Sequence, residues 1–97
     1  MECHMYILLC DNGSYYTGST KNLNRRINQH FPGEGANHTK KFKPIKLVYS
    51  ESFDRIDHAY NREKQVQRWT HAKKEALING DIDQLKKKAK KKFKNTN

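Results

Sequence analysis

At 97 residues, 34% of them hydrophobic and 31% charged, the chain is long enough for one small domain with a thin, mixed core. Its net charge of +10 is spread along it: residues 1–80 carry 13 Lys and Arg against 8 Asp and Glu, residues 81–97 carry 7 Lys against 2 Asp. A basic body with a basic tail predicts a polyanionic partner, nucleic acid ahead of an anionic lipid surface, and the lack of any apolar run near 18 residues or of a signal-peptide pattern argues against a spanning or secreted chain.

The first predicted element is a hairpin of strands 3–10 and 14–20 around Asp11-Asn12-Gly13. Glycine supplies a positive φ there, and Asp and Asn tolerate turn geometry. A three-residue loop would set Cys10 opposite Ser14 and Leu8 opposite Tyr16. Tyr6 would then lie diagonal to Tyr16 on one face, within roughly 8 Å. A two-residue loop would send the two phenols to opposite faces. On the hairpin alone both tyrosines also fit an ordinary strand, which favours aromatic residues. Cys3 and Cys10 fall on one strand, about 23 Å apart if extended, well beyond the roughly 7 Å that a disulfide allows. Reduced cysteines fit a cytoplasmic setting. Cys3-His4 near Cys10 is a poor zinc set, because no second cluster has ligand spacing.

Asn22 is the expected N-cap of a helix over 23–30, which Phe31-Pro32-Gly33 ends. Leu23 and Ile27 mark its buried stripe. Arg26 and His30 lie about 60° and 20° from Leu23, whereas Arg25 lies about 160° away, so the adjacent arginines should behave differently. Arg26 could simply snorkel and His30 be a satisfied boundary residue. Residues 32–44 read as a polar loop and a contact surface. A third strand is expected over 46–53, with Pro44 just outside it. Asp54 should cap a long helix over 55–69, a further helix should cover 71–79 and stop at Gly80, and 81–93 reads as a frayed lysine-rich helix or tail.

In the long helix, Ile56, Ala59, Tyr60 and Val66 define the apolar stripe, and Glu63 sits in its middle, about 20° from Ile56. Its neighbours at three and four residues are Ala59, Tyr60, Val66 and Gln67, none of them basic. A carboxylate on a buried face is costly unless it meets a cation, a metal or a donor. A buried pair with an arginine across the core, Arg26 for instance, is the structural alternative to a functional role.

Two phenols, a guanidinium, an imidazole and one carboxylate suit phosphodiester hydrolysis. One carboxylate can hold a hard divalent cation such as Mg²⁺, which keeps several waters and coordinates phosphate oxygen. Arginine can bind the same phosphate, and a tyrosine or histidine can take a proton from water or orient it.

Met5-Tyr6-Ile7 and Tyr16-Thr17-Gly18, followed by Arg26, His30 and Glu63 in that order, resemble the two half-motifs and the helical residues of the GIY-YIG nuclease domain. The resemblance covers roughly residues 3–80. It is closest to small standalone YazA/YhbQ-like members, related to the excinuclease C amino-terminal domain, through the Asn12-to-Gly18 hairpin and the run from Arg62 to Ile78. It implies an α+β domain over residues 1–80, a three-stranded antiparallel sheet flanked by helices, with 81–97 as a Lys-rich tail. It also implies a Mg²⁺- or Mn²⁺-dependent endonuclease. Glu63 would be the metal ligand and Arg26 would sit on the scissile phosphate, while Tyr6, Tyr16 and His30 position or deprotonate the nucleophile. The set selects the three-residue loop, because only that register brings both phenols to a shared face. Met5 and Thr17 depart from the half-motifs beside the tyrosines. Ser19 stands where the excinuclease relatives carry a lysine, and His38 could replace that cation. Asn79 could supply the late asparagine of some members.

The leading expectation is a structure-directed DNA endonuclease of repair or recombination, DNA ahead of RNA as substrate, read by shape and phosphate contact. Arg26, His38, Lys40, Lys41 and Lys43 would bind nucleic acid. The alternative is a non-catalytic nucleic-acid-binding module using the same loop lysines and the tail. A third reading is a domain active only with a protein partner.

Overall fold

A computed structural model describes residues 2–30 and 41–80; His38, Lys40 and the lysine-rich tail lie outside the described residues. Strands β1 (Cys3–Cys10), β2 (Tyr15–Thr20) and β3 (Pro44–Phe53) form one antiparallel sheet in the order β2-β1-β3. Helix α1 (Leu23–His30) follows β2, and α2 (Ile56–Gln67) and α3 (His71–Ile78) follow β3. This is the three-stranded α+β arrangement that the sequence implied.

The hairpin has the three-residue loop. Cys10 N–H donates to Ser14 C=O at 2.9 Å, and Leu8 faces Tyr16. Gly13 has φ +85°, a conformation glycine adopts without a steric penalty. The Asn12 side chain tightens the turn by accepting from Ser14 N at 3.1 Å and Ser14 Oγ at 2.6 Å. Cys3 and Cys10 are both buried free thiols on β1.

Strand alternation gives the sheet two working faces. Met5 and Ile7 point to the side on which α2 and α3 pack, where they form the core with Val66 and Leu77. Met5, the departure from the glycine of the first half-motif, is fully buried in that core. Tyr6 and Leu8 point to the other side and are also buried.

The helix ends correct the sequence reading in places. Asn22 does cap α1, its Oδ1 accepting from Arg25 N at 3.1 Å. Asp54 does not cap α2: Arg55 takes the N-cap position with no side-chain cap bond, and its guanidinium instead makes two 3.0 Å bonds to Asp57. The helix is therefore shorter than 55–69, and Thr70 begins α3 by accepting from Lys73 N. Pro44 lies within β3 as its first residue, a position where its missing N–H costs no internal ladder bond. Leu23 and Ile27 are only half-buried, and His30 is the buried residue of α1.

Helix α2 is fixed to the sheet on its β3 side. Arg62 makes a forked ion pair with Glu51 at 3.0 and 3.1 Å, and Tyr49 donates to the same carboxylate at 2.5 Å. The Arg62 guanidinium also lies 5.2 Å from the Trp69 ring centre, and Lys73 covers that ring at 4.2 Å.

Candidate active site

The hairpin register builds the first part of the site. Tyr6 is paired with Gly18 and Leu8 with Tyr16, so both phenols stand on one face, with ring centres 6.3 Å apart. The Tyr6 ring passes directly over Gly18. A Cβ at that position would lie 2.5 Å from Tyr6 Oη, 2.6 Å from Tyr6 Cζ and 3.1 Å from Tyr16 Cε2. Gly18 is thus required by close approach, while Gly13 is required by its backbone angle.

Helix α1 closes over the phenols. His30, its last residue, is fully buried, with Nε2 2.8 Å from Tyr6 Oη. Its ring centre is 5.7 Å from that of Tyr6 and 5.2 Å from that of Tyr16. Arg26, one turn earlier, is half-buried, donates to Gln29 Oε1 at 3.0 Å, and lies close enough to both phenols to act on their ionisation. Arg25 is exposed. The two arginines therefore divide as the helical angles predicted.

The electrostatics of this cluster follow from burial. Desolvation pushes the Tyr6 phenol up to about 12 against the opposing pull of Arg26. The Tyr16 phenol is raised for the same reason, with Arg26 and Lys64 working against the shift. Burial, aided by the positive charge of Arg26, holds His30 down at about 4. At neutral pH Tyr6 is then a phenol and His30 a neutral imidazole. The 2.8 Å bond between Tyr6 Oη and His30 Nε2 joins these two neutral groups.

Glu63 reaches the site from the opposite face of the sheet, along the outer strand β2. It is 9% exposed, in the middle of the buried stripe as expected. The alternative of a buried pair with Arg26 is not realised, because the two residues approach from opposite sides of the sheet, and Glu63 meets Ser19 and Gln67 instead. Ser19 Oγ donates to Glu63 Oε1 at 2.5 Å, and Gln67 Nε2 donates to Oε2 at 2.8 Å. Gln67 also donates to the Thr17 carbonyl at 3.3 Å, tying α2 to β2. Lys64 Nζ is 4.0 Å from Oε2. The charge of Glu63 reaches both phenols and raises them further.

The donor set fits a hard, hydrated cation. Each Glu63 oxygen accepts one bond from a neutral donor and keeps a lone pair, while Ser19 and Gln67 hold the carboxylate in place. Among the described residues no three His, Cys, Asp or Glu gather into a metal cluster. A site with one carboxylate suits an ion that keeps most of its waters, not one held by thiolates or imidazoles.

Other sequence candidates lie elsewhere or remain structural. Lys43 sits beside the hairpin turn, its carbonyl accepting from Asp11 N at 2.8 Å, and Lys41 lies against the Phe42 ring. These lysines mark the turn end of the sheet, several residues along β1 from Tyr6. Asn79 is the C-cap of α3, its N–H donating to the Glu75 carbonyl at 3.0 Å, and the N–H of Gly80 donates to the Leu77 carbonyl at 3.1 Å. Tyr60, assigned to the apolar stripe, is 49% exposed. Ser19 and Gln67 were missed as partners of Glu63. Gln67 was detectable at four residues from Glu63, and Ser19 from its register opposite Met5.

Comparison with known proteins shows the family to which this chain belongs. Residues 2–76 match the GIY-YIG catalytic domain, and the chain belongs to the GIY-YIG family. A UPF0213 protein of Halobacterium salinarum is 40% identical over 75 residues, covering 77% of this chain and 97% of that protein. A UPF0213 protein of Staphylococcus aureus is 40% identical over 79 residues, covering 80% and 96%. The solution NMR structure of a UPF0213 protein from Bacillus halodurans superimposes with a TM-score of 0.53 at 38% identity, over 81% of this chain and 84% of that one. A second NMR structure, of a protein from E. faecalis, gives 0.56 at 29% identity, over 84% and 88%. Among the described residues no helix is long and apolar enough to cross a membrane.

Proposed function

We propose that the chain is a divalent-metal-dependent endonuclease that hydrolyses phosphodiester bonds in DNA, directed by substrate structure. The observation that carries this reading is the hydrogen bond between Tyr6 and buried His30, with Arg26 acting on the phenols and Glu63 held in place by Ser19 and Gln67. Arg26 presents a half-buried guanidinium that can take a phosphate oxygen and stabilise the charge developing on phosphorus. Tyr6 Oη is bonded to His30 Nε2 and feels the charge of Arg26, so it can accept a proton from an attacking water while passing its own to the imidazole. Each transfer moves one proton, and His30 ends as imidazolium. That transfer is uphill in the free chain, given a phenol near 12 and an imidazole near 4, so bound substrate must supply the compensating negative charge beside His30. Tyr16, less buried than Tyr6 and in the same ring cluster, can orient the water. A divalent cation on Glu63, with Mg²⁺ or Mn²⁺ the ions that suit one carboxylate and several waters, would polarise the phosphate. Lys41 and Lys43, with His38 and Lys40 of the preceding segment, supply phosphate contacts away from the reacting centre.

The test is cleavage of labelled single-stranded, flapped and branched DNA, and of RNA, in Mg²⁺ or Mn²⁺. Cleavage by the wild type that Glu63→Gln and Tyr6→Phe both lose supports the enzyme. Metal-independent binding without cleavage, unchanged in Glu63→Gln and weakened by removal of residues 81–97, would establish a non-catalytic binding module instead.

A further inference from the structure

Three features of α2 have no role in the chemistry above. Tyr60 exposes half of its surface, an uncommon position for an aromatic on a helix that packs on a sheet. Lys64, one turn later, lies with Nζ 5.0 Å from the centre of the Tyr60 ring. The same ammonium is 4.0 Å from Glu63 Oε2. The helical wheel shows which way they point. Taking Glu63 as the origin, Arg62 lies at about −100°, and Gln67, Tyr60 and Lys64 at about +40°, +60° and +100°. Arg62 is bonded to Glu51 on β3, and Gln67 to the Thr17 carbonyl on β2. The positive flank of the helix therefore overhangs the outer strand β2, the strand that carries Tyr16. The Tyr16 phenol responds to the charge of Lys64, in agreement with that orientation.

We propose that Tyr60 and Lys64 form a nucleotide-binding rim of the site, in which the Tyr60 ring stacks on one unstacked base next to the scissile phosphate and Lys64 holds the adjoining phosphate. The proposal rests on the nuclease reading of the Glu63 site. An exposed aromatic face with an ammonium beside it matches what an unpaired nucleotide offers, a flat π-surface with one negative charge. A paired base inside a duplex has no free face to give, so the rim selects single-stranded or locally opened nucleic acid. It gives a small domain a means of recognising substrate structure without a second binding module.

The experiment is a binding cycle in EDTA, where no cleavage occurs. Fluorescence anisotropy compares wild type and Tyr60→Ala on a flapped DNA, intact and with a single abasic nucleotide moved stepwise through the strand. Tyr60→Ala should weaken binding of the intact strand about tenfold. One abasic position should cost the wild type a similar factor and cost Tyr60→Ala nothing, whereas Tyr60→Phe and Tyr60→Trp keep the wild-type pattern. Lys64→Gln should lower the slope of log affinity against log salt by about one. Wild-type affinity in Tyr60→Ala, or the absence of any abasic position coupled to Tyr60, would overturn the rim. Failure of the wild type to cut DNA would count against the nuclease and leave this coupling measurable. Intact cleavage without coupling would reject the rim alone.

Discussion

Gly18→Ala is the most direct perturbation of the proposed active site, because it adds one methyl group and touches no reacting atom. The new carbon would lie 2.5 Å from Tyr6 Oη and 2.6 Å from Cζ. Non-bonded heavy atoms settle at about 3.5–4.0 Å, so the ring must move by about 1 Å. The ring has little room, since Tyr6 is 1% exposed and its hydroxyl is 2.8 Å from His30 Nε2. A movement of that size either opens this bond beyond range or drives the phenol into the imidazole. Overpacking of this kind costs about 1–3 kcal/mol, partly offset by about 0.5–1 kcal/mol for replacing a glycine within a strand. The expected net loss is about 1–2 kcal/mol in urea unfolding. A reacting group misplaced by about 1 Å should lower kcat about a hundredfold. Gly13→Ala is the control: nothing lies within 4 Å of its Cβ, but its φ of +85° makes any side chain strained. It should lose about 1–2 kcal/mol of stability and keep its kcat. A Gly18→Ala variant with wild-type kcat and wild-type unfolding midpoint would refute the claim that Tyr6, held against Gly18, does chemistry.

Two further predictions concern stability. Between about pH 6.5 and about 4 the unfolded chain protonates His30 while the folded chain resists it, so stability is complete above the unfolded value and falls as pH drops through this window. The loss should reach about 3 kcal/mol from this residue alone. Urea midpoints at pH 7 and pH 4.5 should therefore converge more closely in His30→Gln than in the wild type; equal pH slopes in both would show that His30 is not held neutral. Thr17 is 3% exposed, and its Oγ1 has no hydrogen-bond partner among the described residues. Thr17→Val should stabilise by about 1 kcal/mol, a rise in Tm of roughly 4–8 °C for a domain of this size. A fall in Tm would mean that the hydroxyl is satisfied.

The fold was legible where local chemistry decided it. Asp11-Asn12-Gly13 set the turn, and the turn set the register that pairs Leu8 with Tyr16. The split between Arg25 and Arg26 and the burial of Glu63 came from helical angle alone. What escaped depended on contacts distant in sequence. Ser19 and Glu63 are 44 residues apart, and no periodicity links a strand hydroxyl to a helical carboxylate. Tyr60 looked like core because it lies about 60° from Glu63, but the helix runs along the outer strand, so that flank meets solvent. Asp54 had the usual capping chemistry, yet the chain turns into α2 one residue later and Arg55 pairs with Asp57.

The six-residue strand β2 serves both halves of the proposed site. Tyr16 and Gly18 face α1, whereas Thr17 and Ser19 face α2. Parity alone keeps these assignments. Inserting or deleting one residue in the Asp11–Gly13 turn would exchange the two sets at once. Ser19 would leave Glu63, Tyr16 would enter the side holding Met5 and Val66, and Gly18 would no longer make room for Tyr6. The turn is solvent-exposed at its tip, where surface loops ordinarily absorb changes in length. Here a surface loop is as intolerant of single-residue changes in length as the interior is of changes in volume.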